Sequence, residues 1–157
     1  MDHETRARDE DHHALRLWLR LLTCTNLIES QIRRRLRSQH DCTLPRFDLL
    51  AQLARAPEGL RMGELSKRLM VTGGNVTGIV DQLEADGLLQ REPAPKDRRA
   101  VVIQLTHRGQ QEFARMARDH EQWVVDLLAG LDEAQLHQLH ALLGILKSHL
   151  KASTELE

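Results

Sequence analysis

The chain has 157 residues, 41% of them hydrophobic but only 3% aromatic, with no tyrosine and a formal net charge of −1. That length suits one domain or one subunit of an oligomer; the core must be aliphatic, as in packed helices, and without a global positive excess any anion-binding role needs local clusters. Two cysteines, Cys24 and Cys42, are too few for a disulfide-stapled secreted scaffold, and no apolar run approaches the roughly 20 residues of a membrane span, so a soluble, cytosolic protein is expected.

Residues 1–13, MDHETRARDEDHH, offer nothing to bury and read as a disordered arm. From Ala14 to about Ser38, Leu17, Leu21, Ile28, Ile32 and Leu36 fall close to a helical stripe, widened by Trp18, Leu22 and Cys24. This helix ends in RRRLR, where cations suit the macrodipole. Pro45 marks the first turn of a shorter helix carrying Phe47, Leu50, Leu53 and Ala54, which stops before the turn residues Pro57 and Gly59. A third helix covers about Met62 to Leu69. After a tight break, Thr72 is the expected N-cap of a fourth, with Val76, Ile79, Val80 and Leu83 on one face and Gly87 past its end.

The clear strand signal comes next. LLQRE and AVVIQLT flank PAPKDRR, and prolines 93 and 95 predict a hairpin with a stiffened loop rather than a two-residue turn. Thr106 can cap a long helix to about Ala129, which Gly130 ends. Asp132 and Gln135 have the form of a capping box. The last helix places Leu136, Leu139, Leu143, Leu146 and Leu150 at alternating steps of 3 and 4, a two-heptad seam.

Two helices joined by a tight turn, followed by a hairpin with a basic tip, define a winged helix-turn-helix. The glycines at the start of the fourth helix then have a physical use. A recognition helix pushes its N-terminal turns into the major groove, and glycine removes side chains from that approach. The amides near Gly73, Gly74 and Asn75 can donate to a phosphate at the positive helix end. Thr72, Asn75 and Thr77 offer short polar groups to base edges or sugars. Lys96, Arg98 and Arg99 cluster at the wing tip, where they would follow the backbone or enter a narrow minor groove. From Met62 to Arg108 there are seven basic and six acidic residues, so placement must do what bulk charge does not. A loose helix start that touches nothing remains the plainer reading of the glycine pair.

The run ELSKRLMVTGGNVTGIVDQLEADGLLQREPAPKDRRAVVIQLTHRG resembles the core of the MarR family of bacterial transcription regulators. Glu64-Leu65, Thr77, Val80-Asp81, Leu83-Glu84, Gly87-Leu88, Arg91, Asp97-Arg98-Arg99, Leu105-Thr106 and Gly109 carry the likeness. It implies an α+β, mainly α fold: dimerisation helices over 14–40 and 107–152, a winged helix-turn-helix DNA-binding domain over 41–106, and a tail over 153–157. It further implies a homodimer on a palindromic operator of double-stranded DNA, most simply a repressor released by a small ligand. Gly78 and Gln82 depart from the resemblance, standing where relatives commonly carry arginine or another base. By the same analogy Asp81 should hold Arg98 or Arg99 and so orient the wing.

The effectors that the resemblance implies include aromatic acids, for which Trp18, Arg46 and Phe47 are candidate lining residues. That Trp18 and Phe47 are simply core stays open beside it. The resemblance also admits thiol sensing. Such a thiol should be exposed with a depressed pKa; Cys42, beside His40 and Arg46, is the better candidate, and Cys24 is expected in the core. His137 and His140 have a metal-compatible spacing, but a hydrated face is the expectation, and neither metal nor cofactor is implied. There is no phosphate loop, nucleophile–base signature or metalloprotease motif, so no enzyme is expected. The different-class alternative is a winged-helix module that binds protein instead of DNA.

Overall fold

Helix α1 runs from His3 to His40 in the structure, a computed structural model that describes residues 3–69 and 75–155, with side chains from residue 12 onward. From His3 on, the helix takes in backbone of the stretch expected as a disordered arm over 1–13. Once a long helix is nucleated, each further residue adds a hydrogen bond without a new nucleation cost. Then follow α2 (Leu44–Ala54), β1 (Leu60–Arg61), α3 (Met62–Arg68), α4 (Val76–Ala85), β2 (Leu89–Ala94), β3 (Asp97–Leu105), α5 (His107–Leu128) and α6 (Glu133–Thr154). The chain divides into one unit through His120 and another from Glu121, with α5 continuous across the division.

In the first unit, Leu36 of α1, Leu49 and Leu50 of α2, Leu65 of α3, and Val80 and Leu83 of α4 are fully buried. They close over an antiparallel sheet of order β1-β3-β2. The α4 stripe read from sequence is thus the face that docks the helix. β1 was not legible: two residues are too few to show a strand period, and it exists only because Leu60 and Arg61 pair with Ile103 and Val102.

The wing corrects a second expectation. β2 runs through Pro93 to Ala94 and β3 begins at Asp97, so Pro95 and Lys96 alone connect the strands. The irregularity sits within the strands instead. Pro93 pairs with Val101 but Ala94 pairs with Asp97, so Arg98, Arg99 and Ala100 are extra residues in a bulge. Proline lacks a ladder donor, which fits a sheet edge and a bulge.

Several caps match the sequence. Thr106 Oγ1 accepts from the Gly109 amide (3.0 Å) at the start of α5. Asp132 and Gln135 make both bonds of the capping box on α6. Gly87 takes φ +77 just past α4, as an αL terminator does.

The apolar stripe of α1 behaves differently from its sequence reading. Ile32 and Leu36 are buried, but Leu15, Leu17, Trp18, Leu19, Leu22 and Leu27 are exposed. In the second unit, α6 buries none of its residues, leaving Leu139, Leu142, Leu143, Ile145, Leu146 and Leu150 in water. Among the described residues no helix is long and apolar enough to cross a membrane.

Candidate nucleic-acid interface

The start of α4 is set by Asn75, not by Thr72. Asn75 has extended backbone and its Oδ1 accepts from the Gly78 amide (3.0 Å). Thr72, Gly73 and Gly74 lie outside the described residues. The cap also explains Gly78, because a β-carbon there would stand 2.8 Å from Asn75 Nδ2. A side chain at position 78, where the resemblance implies a basic residue, would have to displace the Asn75 side chain that caps the helix. Asn75 is therefore a capping residue, and its oxygen is already engaged. Thr77 is exposed one position into the helix.

Helix α4 carries Asp81 and Glu84 and no basic residue. Both carboxylates are held by Arg91 of β2: Nη2 donates to Asp81 (2.5 Å) and Nη1 to Glu84 (2.7 Å). This corrects the expected partner of Asp81, which is neither Arg98 nor Arg99. Register decides it, since Arg91 sits in the regular part of the hairpin opposite Ile103, whereas Arg98 and Arg99 are carried into the bulge. The hydrogen bond that Arg91 donates to Asp81, reinforced by Glu84, holds the guanidinium even more firmly protonated than usual against a smaller opposing effect of burial. Arg46 of α2 grips the other end of α4, with Nη2 donating to Asp86 at 2.6 Å. Its Nε is buried without a hydrogen-bond partner among the described residues.

The Arg91 clamp leads to a prediction. Exposed ion pairs contribute about 0–1 kcal/mol to stability, so Arg91→Ala should shift the melting temperature little. It would, however, leave two uncompensated carboxylates on a helix meant to approach phosphates. We expect DNA affinity to fall about tenfold, or about 1.4 kcal/mol, with partial retention in Arg91→Lys. Fluorescence-anisotropy titration beside a thermal melt checks it, and equal losses of stability and affinity would refute the charge-masking role.

Lys96, Arg98 and Arg99 are all exposed at the wing tip. The Arg99 amide donates to Asp97 Oδ1 (3.1 Å), which fixes the backbone of the bulge. No ion pair occupies these three side chains among the described residues, in contrast to Arg91 and Arg46.

The other candidates separate. Trp18 is 56% exposed and Phe47 only 5%. Phe47 stacks on Phe113 and His120, with ring centroids 5.5 and 4.8 Å away, and the burial that accompanies this packing lowers the His120 pKa. Phe47 is thus core, Arg46 is engaged with Asp86, and the three do not share one environment. The two thiols exchange their expected places. Cys24 is exposed and Cys42 is buried. Burial pushes the Cys42 pKa up, only partly countered by Arg46, the reverse of what a sensor thiol needs. His137 and His140 are exposed on α6, with Glu133 3.8 Å from His137.

A helix-turn-helix whose second helix docks by one apolar face, followed by a hairpin ending in three untied cations, defines a winged-helix DNA-binding fold. Comparison with known proteins specifies the family. A sequence model of the MarR family matches residues 40–100. The chain is 35% identical over 115 residues to the HTH-type transcriptional regulator PecS of Dickeya dadantii, covering 72% of this chain and 69% of that one. It is similar to the crystal structure of a MarR family transcriptional regulator from Silicibacter pomeroyi, at TM-score 0.76 and 34% identity, covering 90% of this chain and 98% of that one. It also resembles Sco3205, a MarR family transcriptional regulator from Streptomyces coelicolor solved in complex with DNA, at TM-score 0.70 and 27% identity over 85% of each chain. The chain belongs to the MarR family of transcriptional regulators, which are not enzymes.

Proposed function

We propose that the protein is a cytoplasmic, homodimeric, sequence-specific regulator that binds a palindromic operator and represses by occluding it until a small ligand releases it. The observation that carries this reading is the pairing of a docked α4 with Lys96, Arg98 and Arg99, the exposed and untied cations of the adjacent wing. A second copy is the natural cover for the apolar side chains that α1 and α6 leave in water, because contiguous exposed apolar surface marks an interaction site. Two-fold symmetry then places two recognition helices about one turn of DNA apart. A ligand releases DNA by binding the non-binding arrangement more tightly. Trp18, a flat and exposed indole, is our candidate for its wall. Arg46 and Phe47 are already engaged elsewhere.

The test is a gel-shift titration against DNA flanking the gene at two salt concentrations, with sedimentation on the same samples. A dimer should give a tight shift that weakens steeply with salt. Leu143→Asp with Leu146→Asp should yield monomers and reduce operator affinity at least about tenfold, since each half-site then binds alone. Dimers that shift no DNA would instead support protein binding, which the absence of any base on α4 favours as the second reading.

A further inference from the structure

We propose that Gln82 is the residue of α4 that selects a base, and that the base is adenine, one A·T pair in each half-site. This rests on the DNA-binding reading above and names what its recognition helix reads.

The argument follows the hydrogen-bonding capacity along α4. Val80 and Leu83 are buried, while Thr77, Asp81, Gln82, Glu84 and Ala85 are exposed. Asp81 and Glu84 are acceptors already held by Arg91, and Asp86, just past the helix, is held by Arg46. Asn75 Oδ1 already accepts from the Gly78 amide, so it could pair with adenine only through its second lone pair while still holding the helix cap. Gly78 and Ala85 have no polar side-chain atom. The Thr77 hydroxyl can donate or accept, so it pairs with any base and distinguishes little. Gln82 is left. Its carboxamide carries an acceptor and two donors in one plane, and among the described residues it makes no intramolecular side-chain bond.

The chemistry singles out adenine. In the major groove adenine presents N7 as acceptor beside the N6 amino donor, and a carboxamide matches both at once. Guanine presents two acceptors, N7 and O6, so one contact would set the amide oxygen against a lone pair. Gln82 also lies about 100° around the helix from Asp81, away from the carboxylates that Arg91 occupies. Its stem is long enough to reach a base edge past the glycine and alanine beside it. The departure from a basic residue at this position thus exchanges a phosphate-seeking charge for a base-reading amide.

The experiment begins with selection of duplexes from a random-sequence pool by the wild-type dimer. Wild type, Gln82→Ala and Gln82→Arg are then titrated against the selected operator, its single-pair variants, and versions with 7-deazaadenine at each adenine. We expect Gln82→Ala to weaken operator binding roughly 5- to 150-fold per half-site contact. Discrimination should be lost at one A·T pair per half-site, the pair at which 7-deazaadenine harms the wild type but not the variant. The salt slope should stay unchanged because no phosphate contact is removed. Gln82→Arg should move the preference at that pair to G·C. Thermal melts of both variants should match wild type, since the side chain is exposed. A Gln82→Ala protein that binds DNA with the wild-type preference at every pair overturns the assignment alone. A wild-type dimer that enriches no sequence overturns the DNA-binding reading and this one together.

Discussion

Replacing Arg98 and Arg99 with alanine is expected to weaken operator binding about 100-fold near physiological salt, or about 2.7 kcal/mol, in a dimer that melts as wild type does. The two guanidiniums are exposed at the bulge and tied to no carboxylate among the described residues. Their removal therefore costs the fold little, within about 0.5 kcal/mol. The proposed dimer presents the pair twice, so four cations would leave the phosphate backbone. Since each neutralised phosphate adds nearly one unit to the salt slope, the slope of log K against log salt should fall by about 3 to 4. Titrations at four salt concentrations measure it. An unchanged slope would show that the wing does not track the backbone, and the functional proposal would lose its main source of charge. The contrast with Arg91→Ala is informative. That variant changes what the groove-facing helix repels, so its slope should move far less.

What the sequence made legible, and what it hid, follows one physical division. Features made within a few residues were readable: the Asp132–Gln135 box, the Thr106 cap, the Gly87 terminator and the apolar stripe Val80–Leu83 all depend on local geometry. Features that need strand register were not. The partner of Asp81 is hidden in the sequence because nothing in PAPKDRR reveals that three residues leave the ladder between Pro93 and Ala94. β1 has no signal apart from its partner. The site's cap is ambiguous for a subtler reason: Thr72 and Asn75 are both good N-caps by residue type, and only the folded backbone shows Asn75 reaching Gly78. The periodicity of α1 and α6 marks both helices as amphipathic, but periodicity does not say what covers the apolar face. The same limit produced the exchange of the two thiols, since Cys24 shares a stripe that the single chain does not bury.

Gly109→Ala is expected to destabilise the protein by about 3 kcal/mol or more, the upper end for overpacking, although it adds a single methyl group. A β-carbon at position 109 would stand 1.8 Å from the Leu88 carbonyl oxygen and 2.8 Å from its carbonyl carbon. The obstruction is backbone, so no rotamer change relieves it. That oxygen accepts from the Thr106 amide (3.1 Å), while Thr106 Oγ1 donates to the Gly87 carbonyl (2.7 Å) and accepts from the Gly109 amide (3.0 Å). Leu88 in turn donates its amide to Leu83 at the end of α4 (2.9 Å). The first turn of α5, the last turn of the recognition helix and the start of the wing thus meet at one peptide. Moving α5 outward to admit a methyl breaks this junction, so DNA affinity should fall along with stability. Gly63→Ala is the control: nothing lies within 4 Å of its would-be β-carbon on α3, and helix propensity predicts a gain of up to about 1 kcal/mol. Urea unfolding at fixed protein concentration, which linkage to the proposed dimer requires, should separate the two variants by about one molar or more in midpoint. A Gly109→Ala midpoint equal to wild type would mean that α5 can shift without loss, and that the peptide at Leu88 does not hold the recognition helix and wing together.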